Sequence, residues 1–192
     1  MKKKTIGFAV TGSFCTFAVI IEQLKSLTDT YNIIPIFSYA VAHTDTRFTT
    51  AGDFRAEVVR LTGNQPLDTI PLAEPVGPKA LLDLLVVAPC TGNTLSKISL
   101  AITDTPVTMA VKAHLRNNKP VVIAVSSNDA LGLNFKNLGS LLNAKNIYFV
   151  PFGQDDSRKK PNSLVADMTL IGATVEAAFE GVQIQPLLFT KG

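Results

Sequence analysis

Residues 5–10 are a short apolar run that stops at Thr11-Gly12-Ser13, after which Phe14, Phe17, Ile21, Leu24 and Leu27 recur at helical spacing, so the chain opens as strand, tight turn, helix. Residues 31–38 are rich in Ile and Phe and predict a second strand, in which Pro35 must sit where no ladder hydrogen bond is needed. Residues 39–50 are polar and irregular, 54–61 predict a helix, and the prolines of 64–78 predict an extended crossing loop. A third strand is expected over 84–88, ended by Pro89, and a fourth over 120–126, with helices over 94–103 and 106–117 between them. Pro106 suits a first helical turn, where its missing N–H costs nothing. A helix over 134–143, a strand over 147–150 and a polar loop over 153–162 follow. Leu164, Met168, Ile171, Val175 and Phe179 then share one face of a C-terminal helix over about 163–180, leaving a short tail over 181–192.

Strands 84–88 and 120–125 are apolar without alternation, as expected when both faces of a sheet are covered. Five strands alternating with helices predict an α/β fold: a single domain spanning 1–192, with a doubly wound, Rossmann-like parallel sheet and helices on both faces. Ligands of such sheets collect beyond the carboxyl ends of the strands, so the turns after the strands are where chemistry is expected.

Apolar residues make up 46% of the chain and charged residues only 17%, which excludes a disordered chain. The net charge of +3 is too small and too scattered for a nucleic-acid footprint. Lys2, Lys3 and Lys4 before the apolar stretch 6–21 imitate a signal peptide, but Thr11, Gly12, Ser13 and Thr16 interrupt it and no small-residue cleavage site follows. No run reaches the length of a membrane span, so no membrane partner is expected. Cys15 and Cys90 stand alone, which makes cytosolic thiols the default, and together with only two His they assemble no recognisable metal site.

Three turns could carry chemistry. Thr11-Gly12-Ser13 opens a helix, and it could receive a phosphate on free N–H groups, or Ser13 could simply cap the helix. The full dinucleotide fingerprint is missing, because Phe and Cys occupy positions 14 and 15. After the third strand, Pro89-Cys90-Thr91-Gly92-Asn93-Thr94 is either ordinary turn chemistry or a loop whose hydroxyls and amide bind a heterocycle's polar edge. Ser126-Ser127-Asn128-Asp129 repeats this character after the fourth strand.

Together, VTGS after the first strand and APCTGNTLSK after the third resemble the FMN-binding flavoprotein family that includes cysteine-peptide decarboxylases, phosphopantothenoylcysteine decarboxylase and flavin prenyltransferases. The resemblance implies FMN on these loops, with Gly12 and Ser13 at its phosphate and Ser38 as a further phosphate hydroxyl. Thr91, Asn93 and Thr94 match the family's Pro-Ala-Ser-Ala-Asn-Thr flavin loop, with Cys90 and Gly92 as departures, and Ser126 and Asn128 complete the implied set. Of the decarboxylase motif Pro-x-Met-Asn-x-x-Met-Trp only Asn128 survives, which puts decarboxylase chemistry in doubt. The segments DTRFTTAGDF, TDTPVTMAVKAHLR and VPFGQDDSRKKPNSLVADM are closer still to one branch. Its members act in the cytoplasm of the mother cell of sporulating bacteria, as the B-type component of a two-component synthase. That enzyme oxidises a dihydropyridine dicarboxylate to pyridine-2,6-dicarboxylate, with an A-type component of NADP-dehydrogenase character as the partner. An FMN-dependent decarboxylase or prenyltransferase, and a cofactor-free scaffolding component, stand as alternatives.

The catalytic residues are not legible; His43, near the position of a decarboxylase His, is the one candidate, with a solvated loop residue as the alternative. His114 is expected at the surface or a contact between copies. Arg158 and Lys159, in the loop 153–162, are the expected carboxylate contacts of a dicarboxylate substrate, against the reading of a solvated charged loop. The family resemblance also implies a homo-oligomer.

Overall fold

The computed structural model describes residues 3–189. In chain order these form β1 (Thr5–Val10), a 3-10 turn (Phe14–Thr16), α1 (Phe17–Thr30), β2 (Asn32–Phe37), α2 (Tyr39–His43) and α3 (Ala51–Thr62). Next come α4 (Ile70–Ala73), β3 (Leu84–Cys90), α5 (Gly92–Ser99), α6 (Pro106–Leu115) and β4 (Val121–Ser127). The chain continues through α7 (Phe135–Leu142), β5 (Ile147–Phe149), β6 (Phe152–Asp156), β7 (Lys160–Ala166) and α8 (Ile171–Phe179).

The parallel strands lie in the order β2-β1-β3-β4-β5. From β1 the chain moves one way along the sheet and from β3 the other, so right-handed crossovers place α1 and α6 on opposite faces, as a doubly wound single domain requires. Every residue of β3 is buried, as are all but one of β4, because both faces are covered. Pro35 lies on the edge strand β2; the carbonyl of Pro35 and the N–H of Phe37 both face outward, to Leu67, so the N–H that Pro35 lacks would also have pointed off the sheet. Pro106 opens α6 behind Thr105, whose side chain forms a reciprocal capping box with Thr108.

Several expectations need correction. Pro89 does not end β3: the strand runs on to Cys90, which pairs with Val125 after a register shift beyond Val87, and Pro89 occupies that irregularity, where a ladder donor is not required. The crossing segment 64–78 is not wholly extended, since Thr69 caps the short α4. Residues 39–43 are helical because Ser38 caps them. The C-terminal helix does not begin near 163, and 153–162 is not a loop. Antiparallel β6 and β7 form a hairpin there, and β7 pairs Ser126 with Val165 and Ser127 with Leu164 on the end of β4 that β5 leaves free. The helix itself begins at Ile171, after a 3-10 turn (Met168–Leu170) capped by Asp167, whose carboxylate accepts from the Thr169 N–H at 3.0 Å. His114 is not at the surface but fully buried, its Nε2 3.1 Å from the Pro120 carbonyl oxygen. Lys2 and the last three residues of the expected tail lie outside the described residues.

Candidate functional site

β1 and β3 are neighbours whose connections leave in opposite directions, and the crevice this opens at their carboxyl ends is walled on a third side by the β6–β7 hairpin. A cavity of about 590 Å³ occupies it, within the range of small-molecule sites. Its lining brings together the turns after β1, β3 and β4 with the loop after α2 and the hairpin.

The turn after β1 is held by Thr11, a buried residue whose hydroxyl donates to the Pro89 carbonyl at 2.6 Å and accepts from the Thr91 N–H at 3.0 Å. One side chain thus braces the first turn to the third. Ser13 is not spent on capping: its side chain makes no cap hydrogen bond, and its Oγ instead lies 2.8 Å from Ser126 Oγ across the cavity. Ser13 therefore does not act as a side-chain cap; its N–H donates to the Thr11 carbonyl at 2.8 Å and its carbonyl accepts from the Thr16 N–H at 3.1 Å, so its hydroxyl is what this turn presents to the cavity. Gly12 leaves room beside it, since a Cβ there would meet only ordinary contacts, 3.4 Å from Ala40 Cβ and 3.5 Å from the Phe14 ring.

The turn after β3 closes on the turn after β4 so tightly that a side chain at position 92 would have to displace its neighbours. A Cβ there would press on Ser127 Oγ and stand 2.6 Å from Asp129 Oδ1 and 2.8 Å from Asn134 Nδ2. Those atoms form one network: Ser127 Oγ donates to Asp129 Oδ1 at 2.5 Å, Asn134 Nδ2 to Asp129 Oδ2 at 2.7 Å, and Asn137 Nδ2 to Asn134 Oδ1 at 2.9 Å. Gly92, a departure from the flavin-loop pattern, is therefore where the two loops lock together.

Of the residues expected at the site, Gly12, Ser13, Thr91, Ser126 and Asn128 line the cavity. Asn93 is exposed and off the lining, and Thr94 is buried, its N–H donating to Thr91 Oγ1, which caps α5, and its hydroxyl oxygen accepting from the Thr91 hydroxyl. Ser38 caps α2 by accepting from the Val41 N–H at 3.4 Å, and His43, in the last turn of α2, is exposed away from the lining. Arg158 and Lys159 sit at the hairpin turn, their backbone N–H groups donating to Asp156 Oδ1 at 3.0 and 2.9 Å, also off the lining.

The charged groups on the wall are instead Arg47, Asp155 and Lys160. The Lys160 ammonium lies 2.8 Å from Asp155 Oδ2, and that hydrogen-bonded carboxylate holds its pKa above the ordinary lysine value. Arg47 rests over the Phe48 ring, 4.9 Å from its centroid, and has no ion pair among the described residues. Arg47 and Phe48 lie in the polar segment 39–50, where no periodicity marks them; the DTRF string was their only signal. Cys15 is an exposed thiol on the same wall, whereas Cys90 is fully buried and its pKa is pushed up by that burial, so it stays a thiol. No cluster able to hold a metal ion occurs among the described residues.

A family model described as Flavoprotein matches residues 1–177. The chain belongs to the flavoprotein family. Within it, the chain is 48% identical over 98% of its length to the dipicolinate synthase B subunit of Bacillus subtilis (strain 168), covering 94% of that relative. The crystal structure of the dipicolinate synthase B subunit from Bacillus halodurans superposes with a TM-score of 0.91 at 45% identity, over 100% of this chain and 98% of that one. A PPC decarboxylase shares the fold more distantly, with a TM-score of 0.68 at 20% identity over 93% of this chain and 100% of its own. The flavoprotein fold expected from the sequence is thus the one observed. No helix among the described residues is long and apolar enough to cross a membrane.

Proposed function

We propose that this flavoprotein is the FMN-binding B subunit of dipicolinate synthase, acting in the cytoplasm of a sporulating mother cell. There it assists the oxidation of dihydrodipicolinate to pyridine-2,6-dicarboxylate together with the A subunit of dipicolinate synthase, which is dehydrogenase-like and carries NADP. The observation that carries the reading is the convergence of three hydroxyl-bearing turns on one cavity at the switch point, with Ser13 turned into that cavity instead of capping its helix. The overall similarity to dipicolinate synthase B subunits supports the choice of branch.

The residues present fit FMN. Gly12 and the helix-terminal N–H groups behind it suit a phosphate, with Ser13 Oγ as a further partner. Thr91, Ser126 and Asn128 offer donors and acceptors to a heterocycle's polar edge. When bound, FMN supplies a two-electron acceptor. The protein's part is to orient the ring system through the Thr11 brace and the Gly92 lock, and to exclude water with the β6–β7 hairpin. Ser38 acts one step back, by capping α2, and Thr94 by donating its N–H to Thr91 Oγ1 at the start of α5.

Assembly of several copies belongs to the same reading, supported by Leu133 and Phe135, which are 86% and 57% exposed on the segment that follows the cavity residue Asn128. The visible spectrum of the purified chain tests the proposal. Yellow protein with oxidised-flavin bands, or saturable uptake of added FMN, is expected; a chain that stays colourless and takes up no FMN refutes it.

A further inference from the structure

We infer that Arg47, Phe48 and Lys160 form a subsite for a planar ring bearing carboxylates, an inference that rests on the reading of the cavity as the site of a pyridine-dicarboxylate synthase. Three observations point to it. First, two cations and one carboxylate stand on the cavity wall; Lys160 is paired with that carboxylate, whereas Arg47 has no ion pair among the described residues and brings positive charge to the cavity. An anion is its natural complement, and a guanidinium takes a carboxylate with two parallel hydrogen bonds.

Second, Arg47 is already placed. Its guanidinium lies over the Phe48 ring, which restricts the side chain before any ligand arrives and lowers the entropy lost on binding. Phe48 is itself 51% exposed on the same wall, an aromatic face open to a second flat ring.

Third, the two cations come from distant parts of the chain, Arg47 from the loop after α2 and Lys160 from the first residue of β7, and the topology alone brings them to one cavity. Two carboxylates on one rigid ring can each meet a different cation. The hairpin-turn cations Arg158 and Lys159 stand off this lining, so the subsite replaces them as the contact expected from sequence.

The test is calorimetric titration of pyridine-2,6-dicarboxylate into the full-length chain, with FMN uptake followed separately by visible spectrum. Arg47→Gln and Lys160→Gln should each weaken dicarboxylate binding at least tenfold while FMN uptake is unchanged, and Arg47→Lys should keep part of the affinity. Lys136→Gln, an exposed charge on α7, should bind as wild type does and so separates a local contact from loss of net charge. Wild-type affinity in both Arg47→Gln and Lys160→Gln, or a loss confined to Arg158→Gln, overturns the subsite. A wild-type chain that takes up FMN yet ignores the dicarboxylate overturns it as well. Failure to take up FMN instead refutes the flavin reading, whatever the dicarboxylate does.

Discussion

His114 is expected to make this fold acid-sensitive in a narrow window. The ring is fully buried on α6, with Nε2 3.1 Å from the Pro120 carbonyl oxygen and Nδ1 without a hydrogen-bond partner. The neutral tautomer that carries its proton on Nε2 satisfies Pro120, while the cation would bury a second N–H with nothing to accept it. Burial is the main cause that lowers the pKa from 6.5 to about 4, with Lys119 adding to it and the Pro120 hydrogen bond and Asp83 opposing it. Above about pH 6.5 both folded and unfolded chains are neutral here and the residue contributes no pH dependence. Between that pH and about 4 only the unfolded chain takes up the proton, so stability falls as pH falls; below about 4 both states are protonated and the loss levels off. At about 1.4 kcal/mol per unit of difference, the full loss is about 3 kcal/mol, of which about 2 kcal/mol falls between pH 7 and pH 5. Urea unfolding of wild type and His114→Gln, which keeps an amide donor for Pro120, measures it. The wild type should lose about 2 kcal/mol more than the variant over that interval. Parallel stability–pH curves for the two proteins would refute the reasoning.

Other outcomes follow from the site. Gly92→Ala gains a better helix former yet drives a Cβ into the Ser127–Asp129–Asn134 network, so urea unfolding should show a net loss of about 1–3 kcal/mol. A variant as stable as wild type would mean that the two loops are not locked there. Gly12→Ala meets only ordinary contacts, so its melting temperature should stay near the wild-type value while FMN affinity drops about tenfold through loss of close approach; unchanged affinity removes this turn from the site. Asn93→Leu should leave FMN uptake at the wild-type level, because Asn93 is exposed off the cavity, and weakened uptake would restore the role the flavin-loop resemblance gives it. With a thiol reagent, Cys15 should react in the folded chain and Cys90 only on unfolding; two fast equivalents would contradict the burial of Cys90.

The sequence by itself determined the parallel part of the sheet and the edge at which the cavity opens. Apolar runs without alternation at β3 and β4 required two covered faces, and small hydroxyl-bearing residues after β1, β3 and β4 marked the edge where a ligand collects. Those signals are local in the chain, as strand burial and turn chemistry are. The hairpin was not legible, because 153–162 shows no alternation of its own. Leu164, Met168, Ile171 and Val175 also happen to fall at helical spacing, and it is pairing with the free end of β4 that makes 160–166 a strand. The uses of the hydroxyls were decided in the same way. Ser13, Ser38 and Thr91 look alike in sequence, yet Ser13 reaches Ser126 across the crevice while Ser38 and Thr91 accept from helix N–H groups, because the neighbour that draws Ser13 away comes from elsewhere in the chain. Arg47 and Lys160 carry the same lesson. Their charges are visible in the sequence, but a shared cavity between residues more than a hundred positions apart exists only once the sheet order has brought the α2 loop and the hairpin to one cavity.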